Sequence, residues 1–339
     1  MTIDQIVNRV LGLLNLALVR KSTLNTTLAA LETSQNLLHA LQARQQAKLT
    51  EHKSSSTTQA IETILSAQDT RFSQLAQCQD TLGQKLLRHQ IASHWRGVDH
   101  LDKRLPVHGG DSRQCPLCLI RASANDFKLL NSHCIFGGGA LYRYQCPQCD
   151  LVFGPDKMFG LNEAELSEDY EWHYQAYQEG DSTAAELRAF HALQPRKEGV
   201  YLNYGAGSWS QSVQQLRSEG WQVYAYEPHS SAAPQMDYVI TDRRVLLGMA
   251  FDGIFSNNVL EHLRRPVDDL IALSRLLKPG AVMAHATPCY EYLYEFTRFH
   301  LYFFTGRSRT LLADKANLSV KNYVQDGEFM CAVFEAAIV

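Results

Sequence analysis

Proline is missing from the first 105 residues of this 339-residue chain, and tyrosine from the first 141. Up to Arg104 the only glycines are Gly12, Gly83 and Gly97, and Phe72 and Trp95 stand alone among the large aromatics. Without turn formers or bulky side chains, this stretch excludes a small β domain or an independent aromatic core. It is left free to form long helices. A basic excess is missing as well: the formal net charge is -3, which argues against bulk nucleic-acid binding. No apolar run reaches the roughly 18 residues of a bilayer span. The apolar "VLGLLNLALV" near the start suggests a leader, but Asp4 and Gln5 precede it and Asn15 interrupts it. Arg20 and Lys21 follow where a cleavage site would need small residues. The expectation is an amphipathic helix and a cytoplasmic protein.

What the first stretch does contain is a seven-residue apolar repeat. One row is Ile3, Val10, Ala17, Leu24, Leu31 and Leu38; the other is Val7, Leu14, Lys21, Leu28, Gln35, Gln42 and Leu49. "SSSTT" (Ser54 to Thr58) breaks the register, and a second helix is expected to carry Ile61, Leu65, Phe72, Leu75, Leu82 and Leu86. Two readings stay open. One is a coiled coil that sets the oligomeric state or docks a partner, with Lys21, Gln35 and Gln42 selecting the pairing. The other is a helical hairpin packed on its own domain. Composition then divides the chain into residues 1–104 (helical), 105–155 (rich in Gly, Cys and aromatics) and 156–339 (alternating strand-like and helix-like runs). That alternation indicates an α/β sheet covered by helices.

Cys115-Pro-Leu-Cys118 and Cys146-Pro-Gln-Cys149 are separated by 27 residues. Two such knuckles present four thiolates, the donor set of a closed tetrahedral zinc site. With all four positions filled, the role expected of Zn2+ is structural. A segment this poor in aliphatics needs such a staple. His133 and Cys134 lie between the knuckles at poorer spacing.

In the third region, Val200 to Tyr204 reads as a buried strand, Gly205-Ala-Gly207 as a tight turn, and Ser208 to Ser218 as a helix. A second strand ends at Glu227-Pro228, with Glu227 placed 20 residues beyond Gly207. Glycines suit a backbone that must approach a ligand, and an acid at that distance suits ribose hydroxyls. "FDGIFSNNVLEHLRRPVDDLIALSRLLKPGAVMAHATP" (Phe251 to Pro288) supplies a strand ending at Asn257 and Asn258. Helices are expected to open at Leu260 and Pro266, with a stop at Lys278-Pro-Gly280 before the next strand.

This last block resembles the class I S-adenosylmethionine-dependent methyltransferases, through "FDGIFSNNVLEHL" and "LLKPGAVM". The resemblance covers roughly residues 160–339 and implies a Rossmann-like sheet of about seven strands, with the methyl donor across the C-terminal strand ends. It implies that Gly205, Ala206 and Gly207, with Tyr204 beside them, flank S-adenosyl-L-methionine. Glu227, followed by Pro228, would bind its ribose, and Asn257 and Asn258 would lie alongside. With the upstream cysteines and the "YxxxY"-like stretch Tyr170 to Tyr177, the chain looks like bacterial methyltransferases of sugar and surface-glycan pathways. In the sugar C-methyltransferases a histidine-aromatic-serine/threonine segment follows the fifth strand. Here "FHLYFFTGRSRT" offers His300, Tyr302 and Thr305. His300 is the first candidate base, and His262 the second. Glu261 with His262 is alternatively part of a metal site. Tyr290, Tyr292 and Tyr294 either line the acceptor pocket or form a half-buried surface.

Two positions depart from the pattern. The strand-end acid is replaced by Asn203 and the third glycine by Trp209. These leave two functions in play. One is a methyltransferase acting on a sugar nucleotide, surface polysaccharide or other small acceptor. The other is an inactive methyltransferase-fold scaffold that recruits a partner, such as a glycosyltransferase, through its N-terminal helices.

Overall fold

In the computed structural model, residues 55–102, 112–177, 180–207, 210–228, 236–293 and 296–337 are described, with isolated positions 36, 40 and 43. The heptad rows between Ile3 and Leu49 therefore lie outside the described residues, as do Trp209 and Tyr294. The chain divides into two compact units, Met1–His94 and Trp95–Val339.

One continuous helix, α1 (Ser55–Asp102), begins inside the serine-threonine run and crosses from the first unit into the second. Within the first unit Leu75, Leu82 and Leu86 are exposed along this helix at spacings of seven and four. Among the described residues, no helix is long and apolar enough to cross a membrane.

The described residues of the second unit form three sheets. Its strands are β1 (Ser112–Gln114), β2 (Arg121–Ser123), β3 (Lys128–His133), β4 (Ala140–Gln145), β5 (Val152–Phe153), β6 (Val200–Tyr204), β7 (Gln222–Tyr226), β8 (Val239–Ile240), β9 (Phe251–Asn257), β10 (Leu277–Ala286), β11 (Tyr302–Phe303), β12 (Leu318–Asp326) and β13 (Phe329–Ala336). Its further helices are α2 (Asp156–Phe159), α3 (Glu163–Ala176), α4 (Thr183–Ala192), α5 (Ser212–Ser218), α6 (Arg243–Leu246), α7 (Pro266–Ser274) and α8 (Ser308–Lys315).

The seven-stranded sheet runs β12-β13-β10-β9-β6-β7-β8. From β10 to β8 all neighbours are parallel, while β13 inserts antiparallel between β10 and β12. Parallel strands are buried on both faces, which is why β6 and β9 read as near-continuous apolar runs. Phe190 and Ala189 of α4, Leu216 of α5 and Phe255 of β9 belong to one core.

The strand expected to begin at Ala281 starts at Leu277, so Lys278-Pro-Gly280 lies within β10 and is not a helix stop. A bulge there, between the pairs Leu277–Phe251 and Val282–Gly253, absorbs the proline and the left-handed Gly280. Leu260–His262 forms only a 3-10 turn, because Pro266 restarts the chain as α7. The helix after the glycine loop begins at Ser212.

A four-stranded sheet, β11-β5-β4-β3, joins residues on both sides of position 155. Tyr302 pairs with Phe153 and Phe303 with Val152. The cysteine-bearing segment is thereby built into the same unit as the larger sheet. Arg143 tightens this join, donating from its guanidinium to the carbonyls of Thr297 and His300.

His285 of β10 is fully buried beside Ser256 of β9, its Nδ1 2.7 Å from the hydroxyl. Burial pulls the imidazole from an ordinary 6.5 down to about 4, so the folded chain keeps it neutral while the unfolded chain takes up a proton earlier. Stability should therefore fall as pH drops through that window, by about 3 kcal/mol at its acid end. Urea midpoints measured from about pH 7 to pH 4 should slope less in His285→Gln than in the parent. Equal slopes would assign the acid sensitivity elsewhere.

Candidate active site and cysteine cluster

The carboxyl ends of β6, β7, β9 and β10 open onto one cavity of about 1160 Å³. Tyr204, Gly205, Ala206, Gly207, Glu227, Pro228, Asn257, Asn258, His262 and His300 all line it. Residues spread over almost a hundred positions thus converge at the place where parallel α/β sheets bind ligands.

The glycine loop has a backbone reason for its sequence. Gly205 adopts φ +72°, and a Cβ there would lie 2.7 Å from Val259 Cγ2. The amides of Gly205 and Ala206 both donate to the Tyr226 carbonyl, which welds the loop to the end of β7. Gly207, at φ +63°, has open space where its Cβ would be. Its amide donates to Glu227 Oε2 at 3.0 Å. The acid expected at the ribose thus also anchors the loop. Asn258 takes φ +52° and donates its amide to Ala286, binding the end of β9 to that of β10.

Asn203 does not leave the loop without an acid. Its Nδ2 donates to Glu186 Oε2 at 2.5 Å, and that oxygen also receives the hydroxyls of Ser210 and Ser212. Ser182 donates to the other oxygen. Glu186 projects from α4, is buried and reaches the cavity wall. Burial raises its pKa against the pull of those donors. Sequence reasoning missed this carboxylate; the available signal was a glutamate on the core face of a helix, "TAAELRAFHA".

The opposite wall carries the histidines. His262 and His300 stack edge to face with centroids 5.0 Å apart. Tyr170 Oη lies 2.9 Å from His262 Nδ1, and Cys289 Sγ 3.7 Å from His300 Nδ1. Glu261 is buried, and Thr287 donates to its Oε1 at 2.7 Å. Burial pushes the Glu261 carboxyl up to about 7 and holds His262 well below its ordinary range, the neighbouring His300 and His173 adding to the latter. His173 lines the cavity too and is drawn down to about 4 by burial.

Tyr302 and Thr305 serve structure: Tyr302 donates to the Arg264 carbonyl and Thr305 to that of Asp150. Tyr290 is buried away from the cavity, donating to the His285 carbonyl, and Tyr292 is largely exposed.

The four cysteines converge as their spacing implies. One sulfur from each lies within 4.8 Å of the others. Cys115 and Cys149 are 3.7 Å apart, and Cys118 and Cys146 3.5 Å. Tetrahedral zinc with thiolate bonds near 2.3 Å needs sulfur separations of about 3.8 Å, so the donor set fits. The knuckles share one geometry. Cys115 and Cys146 accept from Leu119 and Asp150, the residues just past each second cysteine, and both of those adopt left-handed φ. His133 and Cys134 are not in the cluster.

The parallel sheet, glycine loop and strand-end cavity form the arrangement in which doubly wound α/β domains hold nucleotide-type cofactors. Residues 172–322 match the family model described as "Methyltransferase domain". That match and the mixed seven-stranded sheet together give an α/β methyltransferase fold. No curated protein sequence matches the chain.

Similar solved structures include CalO1, a methyltransferase in calicheamicin biosynthesis, in its S-adenosylhomocysteine-bound form. It is 14% identical with a TM-score of 0.38, over 54% of this chain and 61% of that one. The mitomycin 7-O-methyltransferase MmcR is 13% identical, TM-score 0.39, over 52% and 59%. The chain thus spans about three fifths of either protein. A Burkholderia thailandensis 1,6-didemethyltoxoflavin-N1-methyltransferase, with 1,6-didemethyltoxoflavin and S-adenosylhomocysteine bound, is 14% identical. Its TM-score is 0.42, over 59% and 96%.

Proposed function

We propose that this protein transfers a methyl group from S-adenosyl-L-methionine to a small or glycan acceptor, a sugar nucleotide or surface polysaccharide in the first instance. The observation that carries the reading is the convergence of the Gly205–Gly207 loop, Glu227 and Asn258 with His262 and His300 on one cavity. The donor, when bound, supplies an electrophilic methyl on a sulfonium.

The chain's residues would do the rest. Gly205 and Gly207 let the backbone approach the donor, and Glu227 accepts from its ribose hydroxyls. Tyr204, Ala206, Pro228, Asn257 and Asn258 wall the donor in. His300, with His262 behind it, holds or removes a proton at the acceptor atom. Glu186 braces the loop from below through Asn203 and Ser212, as a positioning residue.

That bracing supports the enzyme over an inactive scaffold, since it answers Asn203, one of the two departures (with Trp209) on which the scaffold reading leaned. Zn2+ on Cys115, Cys118, Cys146 and Cys149 is read as structural. The N-terminal helices are read as the segment that pairs with a second copy or a partner protein. The protein is read as cytoplasmic.

Calorimetry tests the donor site. S-adenosylmethionine should bind the parent, and Glu227→Ala should weaken it about 10- to 100-fold, the value of charge-assisted hydrogen bonds to two hydroxyls. No heat of binding, together with no thermal stabilisation by the demethylated product, would sink the reading. Labelled donor with a panel of sugar nucleotides and extracted glycans then identifies the acceptor.

A further inference from the structure

Glu261, His262 and His300 bring one carboxylate oxygen and two imidazole nitrogens within 4.8 Å of one another. Two of these residues, His262 and His300, face the cavity, while Glu261 lies buried behind them. Two features point past ordinary packing.

First, Glu261 Oε2 is buried with no hydrogen-bond partner, although Oε1 is held by Thr287. A buried carboxylate oxygen without a donor is costly, and a cation or a shared proton must answer it. Second, each member is oriented from behind. Tyr170 meets His262 Nδ1, Cys289 meets His300 Nδ1, and Thr287 meets Glu261. Such outer contacts are what fix the rings and carboxylates of metal ligands. The two ligand-bearing segments are also stapled together, the amide of Leu301 donating to the Glu261 carbonyl at 2.8 Å. Their separation is therefore set by backbone and not by side-chain choice alone.

We propose that Glu261, His262 and His300 form a binding site for a divalent transition metal in the cavity wall. Two nitrogens and one carboxylate suit such ions and leave coordination positions open on the cavity side. An acceptor hydroxyl or carbonyl oxygen reaching those positions would be polarised. A hydroxyl would become acidic enough to release its proton to solvent, which replaces the proton removal otherwise given to His300 when that ring holds the metal. The site is thus matched to an oxygen-rich acceptor. That last clause rests on the methyltransferase reading; the metal site does not.

The test uses full-length protein with its cysteines zinc-loaded, dialysed against Co2+. One cobalt per chain is expected, with weak visible d–d bands and no thiolate charge-transfer bands. Two solvent-exchangeable, hyperfine-shifted imidazole N–H resonances should accompany it. Glu261→Gln and His300→Gln should each weaken cobalt binding by at least about 100-fold, with zinc content and melting midpoint unchanged.

No cobalt beyond that exchanged into the cysteines, or shifted imidazole signals missing from the parent, would overturn the site. So would undiminished binding in both variants. Donor binding is measured in parallel by calorimetry on the zinc-loaded protein before and after cobalt dialysis. Protein that binds donor but takes up no cobalt defeats only the metal site; protein that takes up cobalt but binds no donor defeats only the methyltransferase reading.

Discussion

With zinc proposed on the cysteine quartet, Cys115→Ser/Cys149→Ser protein should bind none and lose the ordered structure around β1 and β2. The hairpin has three residues in each strand, and an isolated two-stranded hairpin is marginal in water. Few apolar side chains support it: Leu117 and Phe127 are buried, whereas Leu119 and Leu129 are exposed. Binding free energy in structural zinc sites is folding free energy, on the order of 10 kcal/mol in small modules. Hydrogen exchange should show residues 112–123 unprotected in the variant and protected in the parent. The effect should weaken toward β4 and β5, which pair with each other and, through β5, with β11. Metal analysis should find the zinc gone. Retained zinc, or unchanged protection of both knuckles, would remove the structural role assigned to the metal.

Arg298→Ala should lower stability by about 3–5 kcal/mol, as expected when one partner of a buried ion pair is removed. Arg298 is fully buried and grips Asp169 of α3 with two donors, Nε at 2.7 Å and Nη2 at 2.9 Å. Trp95, at the start of the second unit, donates to the same carboxylate at 3.2 Å. The guanidinium also lies over the Phe299 ring, 4.2 Å from its centroid. Losing it leaves Asp169 buried with the Trp95 indole as its remaining donor among the bonds of the described residues. Urea unfolding measures the loss. A double variant, Arg298→Met/Asp169→Leu, should be less destabilised than Arg298→Ala alone, because it leaves no orphaned charge. Equal or greater damage in the double variant would mean that packing, not charge, dominates there. Phe299 and His300 follow directly, so the pair also fixes the segment that carries His300 to the cavity.

Much of this was legible in the chain. Four cysteines in two tight knuckles announce their own cluster, since local backbone geometry sets each pair. The order strand, glycine turn, helix, strand and acid marks the glycine loop that lines the cavity, because hydrophobic period and glycine placement are local properties. β6 and β9 fall where their apolar runs lie.

Two features were misread for tertiary reasons. Lys278-Pro-Gly280 looks like a stop signal, but a bulge against β9 lets the strand pass through it. Tyr302 and Thr305 look like site residues in series with His300, yet strand pairing with β5 turns them into structure.

By itself, then, the sequence determined that a glycine-loop α/β domain follows a cysteine quartet, because both signals are short-range. Only the tertiary structure decided which side chains meet. Glu186, 17 residues before Asn203, supplies the carboxylate that the strand end lacks. Glu261 and His300, on separate segments, close on each other because Leu301 hydrogen-bonds back to the turn. A buried charge is chosen by everything that folds around it, and no local pattern carries that information.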